Sequence, residues 1–306
     1  MKTRIGLLLV VLLALTSTEA NAELVAYDGF AYEAGAGLKG RDGGFGFAGP
    51  WRTGGFNAGL NENYEVSGGS LEFAGLSVAG NRSVTRAVSS IAGLTRDLAE
   101  PLGEAGTTRY LSFLVRPEGQ LGEGAFNGFF GVLLEQAGEP EMFAGKPGDG
   151  QMNRYVLENR GGTAAVATDT EVELDRTVLI VLKSEFADGP DTFTLFMNPP
   201  PGGMEPENAD AVRTASLDLV QGLTIYSTGA FSLDEIRLGE SFADVVPVPE
   251  PPPSEIVAME PPTANAYVLP RSVRCSNPQP NCVSRCRRGS VRHSRFGRCL
   301  RRSRRR

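Results

Sequence analysis

The chain has 306 residues, 41% of them hydrophobic, with 38 glycines, 20 prolines, four cysteines, one tryptophan and one histidine. Its formal net charge of −6 conceals two opposite segments: residues 23–247 carry 15 basic against 32 acidic side chains, and residues 271–306 carry 13 arginines and no acid. A body this acidic argues against nucleic acid as its partner, and a single histidine excludes zinc hydrolysis on two or three histidine ligands.

The N-terminus, MKTRIGLLLVVLLALTSTEANA, sets Lys2 and Arg4 before an apolar run over 5–15 and ends in Ala20-Asn21-Ala22. That is the layout of a secretory signal over 1–22, with the mature chain starting at Glu23 and working as a secreted or cell-surface protein. The run is short for a bilayer, and no later stretch reaches the roughly 18 apolar residues that a membrane helix needs, so cleavage leaves no transmembrane helix.

From 23 to 247, short alternating or compact apolar runs are separated by Gly, Pro, Asn and Asp. Strands are expected at 23–27, 70–78, 82–88, 109–117, 128–136, 141–145, 153–159, 176–186, 191–199, 222–227 and 231–239. Many short strands with turn signals between them make an all-β sandwich or barrel. RTVLIVLKSEF and DTFTLFMNP, joined by Ala187-Asp188-Gly189-Pro190, form the clearest hairpin. The first is apolar on both faces, as a central strand covered on each side requires. One short helical turn is expected in 91–106, before Pro101.

The segments AYDGFAYEAGAGLKGRDGGFGFAGPWR, GGSLEFAGLSVAGNRSV, RYLSFLVRP, MFAGKPGDGQMNRYVLE and LDEIRLGESFADVVP occur in an order that resembles an exported bacterial family. Its members carry a concanavalin A-like (LamG-like) jelly-roll domain and often a PEP-CTERM sorting signal. The resemblance covers about 24–247 and implies a two-sheet antiparallel jelly-roll sandwich. That architecture serves lectins, glycoside hydrolases and adhesive modules alike.

Val248-Pro249-Glu250-Pro251 resembles the start of such a sorting signal, which in the family continues into an apolar helix. Here 248–270 is proline-rich and polar, suited to an extended linker. The tail, 271–306, reads as disordered and arginine-rich. Its guanidinium groups suit polyanions, or the acidic body itself; out-of-frame coding after V-P-E-P is a third reading. Cys275, Cys282, Cys286 and Cys299 all lie in this tail, where export favours oxidation and four thiols allow three disulfide connectivities. Their spacing lacks the paired C-x2-4-C units of common zinc sites.

Nucleophilic catalysis of the Ser-His-Asp type would have to draw on His293, in the tail. Paired carboxylates pass that filter. TEVELDR sets Glu171, Glu173 and Asp175 at period 2, which on a strand would point them into one cleft. The order departs from the laminarinase-type E-x-D-x-(x)-E, however, and it sits where a turn is expected. Asp234, in LDEIRLG, alternates with Glu235 and Arg237 and reads as a structural pair or a calcium ligand. Asp28, in YDGF, reads as a turn residue, a calcium ligand or a sugar contact. Trp51, the one tryptophan, reads as a sugar-stacking ring or as core. The expected function is an exported, non-catalytic module that binds polysaccharide or a cell-surface glycan. No cofactor is expected, with calcium the one left open, and the alternatives are a glycoside hydrolase of the same fold or a structural protein without a ligand.

Overall fold

The computed structural model describes residues 24–54, 64–85, 92–119, 128–136, 139–148, 152–159 and 165–249. The N-terminal segment expected to be a signal, the tail with its four cysteines and His293, and all of the linker past Pro249 lie outside them.

Among the described residues, fifteen strands and one helical turn make up the body. The first half comprises β1 (Leu24–Asp28), β2 (Arg52–Thr53), β3 (Tyr64–Ser67), β4 (Arg82–Thr85), β5 (Ala92–Leu102), β6 (Thr108–Pro117), β7 (Phe130–Gln136) and β8 (Glu139–Lys146). It is followed by β9 (Arg154–Asn159), β10 (Val166–Glu171), β11 (Val178–Glu185), β12 (Asp191–Met197), β13 (Ala211–Ala215), β14 (Val220–Ser227), β15 (Phe231–Gly239) and α1 (Phe242–Val245). The strands form two antiparallel sheets. An eight-stranded one runs β13-β12-β11-β6-β15-β4-β3, with β1 also on β15, and a seven-stranded one runs β10-β9-β8-β7-β14-β5-β2. The chain crosses repeatedly between them, so that β14 returns to sit between β5 and β7, and β15 returns to lie against β6. This is the two-sheet jelly-roll sandwich that the resemblance implied, where the strand pattern alone had left a sandwich or a barrel.

The expected hairpin pairs Ile180 with Met197 through Glu185 with Thr192. Ile180, Leu182, Phe193 and Leu195 face the main core between the sheets. Leu179, Val181 and Phe196 face outwards, into a second apolar cluster under the 70–80 segment and α1. Two-faced apolarity in β11 thus reflects burial on both sides.

Two expectations are corrected. Residues 91–106 hold no helical turn among the described residues. Ala92–Leu102 within them form the 11-residue β5, with Leu94 and Leu98 in the core and Thr95 and Asp97 on the outer face. Leucines four apart fit a helix face as well as a strand face, and pairing with β14 decides it. SLEFAGLSV is a strap rather than a strand. Its backbone donors go elsewhere: Leu71 N–H to Asp234, Ser77 N–H to the Pro247 carbonyl and Ala79 N–H to Glu235. Leu71 and Leu76 are nonetheless buried, against the outer face of the larger sheet. Four short strands escaped the pattern, β2, β3, β10 and β13; each lies at a sheet edge and none is strongly apolar.

Candidate functional site

Asp28 and Trp51 lie together in the interior. Each is 1% exposed. The Asp28 carboxylate accepts Arg96 Nη1 at 2.5 Å, the Tyr32 hydroxyl at 2.7 Å, Trp51 Nε1 at 2.9 Å and the Phe30 amide at 2.9 Å. Burial pushes the Asp28 carboxyl upwards, against the opposing pull of Tyr32, Arg96, Phe30 and Trp51. Arg96 spends its remaining donors on Asp42 and on the carbonyls of Gly43 and Gly49, with its guanidinium 4.2 Å from the centroid of the Phe47 ring. The whole loop from 28 to 51 is therefore gathered on one buried arginine. Trp51 stacks on Phe30 with centroids 6.2 Å apart, leaving no open face for a sugar. A calcium ion does not fit Asp28, because both oxygens face N–H and O–H donors and a guanidinium.

Asp234 sits at a bulge in β15. Before it, Ser232 and Leu233 pair with β4; beyond it, 236–239 pair with β1. The pairing with β6 also slips between Asp234 and Arg237, and Glu235 takes a left-handed φ of 53°. The extra residue turns two successive acids towards the strap. Asp234 accepts the Leu71 and Glu235 amides at 2.7 and 2.8 Å. Glu235 accepts the Ala79 amide at 2.5 Å and pairs with Arg237, which itself donates to the Ser77 carbonyl. Burial, and then the neighbouring Glu235 charge, push the Asp234 carboxyl up to about 8. The upward shift of Glu235 has burial as its first cause, opposed by Arg237. The site faces an arginine and backbone amides, and so fits a clasp better than an ion. Among the described residues no three of His, Cys, Asp and Glu come together so as to hold a metal.

TEVELDR ends β10 and enters a turn. Glu171, Glu173 and Asp175 are exposed, Glu173 pairs with Arg176 at 2.8 Å, and Asp175 has a left-handed φ of 58°. The three do not line a cleft.

The structure assembles other groups instead. On the outer face of the smaller sheet, Glu135 and Asp97 stand opposite each other across Gly222. Thr224 donates to Glu135 and lies 2.7 Å from the Thr95 hydroxyl, while Arg52 grips Asp97 with two hydrogen bonds. On the outer face of the larger sheet is an open cleft of about 490 Å³. Its floor is Tyr110 of β6 beside Lys183 of β11, and Met204, Glu205 and Glu240 form its rim. Tyr110 donates to Glu205 at 2.6 Å, and Lys183 bridges Glu205 at 3.1 Å and Glu185 at 3.3 Å. These carboxylates raise the Lys183 ammonium despite the opposing effect of burial. Burial, and then Glu205, raise the Tyr110 hydroxyl. Lys183 and Glu205 are 22 residues apart, and no local motif links them. The one visible signal is Lys183 itself, a charge directly after the apolar run from Val178 to Leu182.

No protein-family model matches the chain, and no curated protein does. Solved structures do. The T. cruzi calreticulin globular domain aligns with 60% of this chain and 86% of its own, at 12% identity and a TM-score of 0.38. An endo-1,3-beta-glucanase from Streptomyces sioyaensis aligns with 71% and 95%, at 9% identity and a TM-score of 0.40. Domain 4 of an extracellular arabinanase from Geobacillus stearothermophilus, in complex with arabinotriose, aligns with 65% and 89%, at 16% identity and a TM-score of 0.38. These likenesses are distant, and the fold assigned to this chain rests on its own strand pairing.

Proposed function

We propose that the chain is an exported, non-catalytic β-sandwich module that binds carbohydrate, as a surface or extracellular component, in the cleft over Tyr110 and Lys183. The observation that carries this reading is a cleft that is open and already set with hydrogen-bonding groups. Glu205 is held by two donors, Lys183 by two carboxylates, and apolar Met204 stands 91% exposed at the rim. Sugar hydroxyls demand such fixed donors and acceptors beside an apolar surface. The export half rests on the N-terminal segment. Among the described residues no helix is long and apolar enough to cross a membrane.

The test is a broad glycan array probed with the full chain, with calcium and then with EDTA. Saccharide binding that survives EDTA and is lost in Lys183→Ala and Glu205→Gln is the expected result. Silence across the array from folded protein overturns the reading in favour of a structural role. A glycoside hydrolase is the second reading, favoured by Glu135 and Asp97 facing each other across Gly222. Release of reducing ends from a β-glucan, abolished by Glu135→Gln, would establish it.

A further inference from the structure

The end of β15 divides two cavities. Gly239 pairs with Tyr110 of β6 on one side and with Leu24 of β1 on the other, and the next residue, Glu240, lines both spaces. On the β6 side lies the Tyr110–Lys183 cleft. On the β1 side lies a second cavity of about 410 Å³, with Val25, Ala99 and Glu100 in its wall. Glu240 rises between them as an exposed post, held by Arg109 at 3.2 Å. Each space is of small-ligand size by itself, and a ligand crossing Glu240 would occupy both.

We infer that the two cavities are consecutive subsites for one chain-like, uncharged oligosaccharide running across Glu240; this rests on the glycan reading above. The chain-like form follows from two separate cavities on one shared residue. The absence of charge follows from the lining. Glu205, Glu240 and Glu100 contribute three carboxylates against Lys183 and the Arg109 that holds Glu240, in a body that is itself strongly acidic. A uronate or sulfated chain would bring like charge to that surface.

The experiment titrates the full chain with neutral gluco-oligosaccharides of two to six sugars and with oligogalacturonides of matched length. Affinity for the neutral series is expected to rise at least tenfold from the shortest to the longest, with the uronides binding more weakly at every length. Ala99→Leu, at an exposed position in the second cavity, should bring the longest ligand down to the affinity of the shortest and leave the shortest unchanged. Glu100→Arg, also at the surface, should admit the uronides. Equal affinity at all lengths, or uronides bound more tightly by the native chain, overturns this inference and leaves the glycan reading standing. Absence of binding by both series overturns this inference, and silence across the broad array as well overturns the glycan reading with it.

Discussion

Arg96 and Asp28 form an ion pair of 2.5 Å in which each side chain is 1% exposed. One partner stands on a strand of the smaller sheet and the other ends β1 of the larger one. The pair therefore ties the sheets together at the end where the loop from 28 to 51 closes the sandwich. Removing one member leaves the other charged and buried, which costs about 3–5 kcal/mol. Arg96→Met and Asp28→Asn should each lower stability on that scale in urea unfolding. The double variant should lose markedly less than the sum, since neither charge is then stranded.

Trp51 contributes to the same cluster through its indole N–H, bonded to Asp28 at 2.9 Å. Trp51→Phe keeps the stacking on Phe30 and loses the donor, at an expected cost of about 1–3 kcal/mol. Saccharide affinity should not change. Thermal unfolding and binding titration on the same preparation check both halves.

Asp234 makes stability depend on pH. Its carboxyl is raised from 3.8 to about 8 in the folded chain, so the folded state binds more protons than the unfolded one between those values. The sign follows: stability is full below about pH 4 and is lost as pH rises through about 8, by up to about 1.4 kcal/mol per pH unit. The groups facing Asp234 are Glu235, whose shift runs in the same direction, and the amides of Leu71 and Glu235. Asp234→Asn should flatten this slope, which urea unfolding at pH 5, 7 and 9 would measure. An unchanged slope would place the dependence elsewhere.

Glu171, Glu173 and Asp175 are exposed, and the Glu173–Arg176 pair lies at the surface with both side chains half exposed. Surface changes of this kind fall within about 0.5 kcal/mol. Replacing all three by their amides should leave the melting temperature and saccharide binding unaltered.

The amino-acid sequence by itself determined the class of fold. Alternation in DTFTLFM, two-faced apolarity in TVLIVL and glycine-rich turns depend on near neighbours, and a strand's period is written in consecutive residues. Pairing decided what that period left open. Leu94 and Leu98 fit two kinds of element until β14 came alongside, and the strap at 70–80 looked like a strand until its amides met Asp234 and Glu235. Asp28, Trp51 and Asp234 were legible as unusual residues. Whether each faced solvent or interior depended on Arg96 and on a bulge in β15, neither of which has a local signature. The cleft was least legible of all. Tyr110, Lys183, Glu205 and Glu240 come from four separate segments; pairing of β11 with β6 sets Lys183 beside Tyr110, and pairing of β15 with β6 brings Glu240 to the same place.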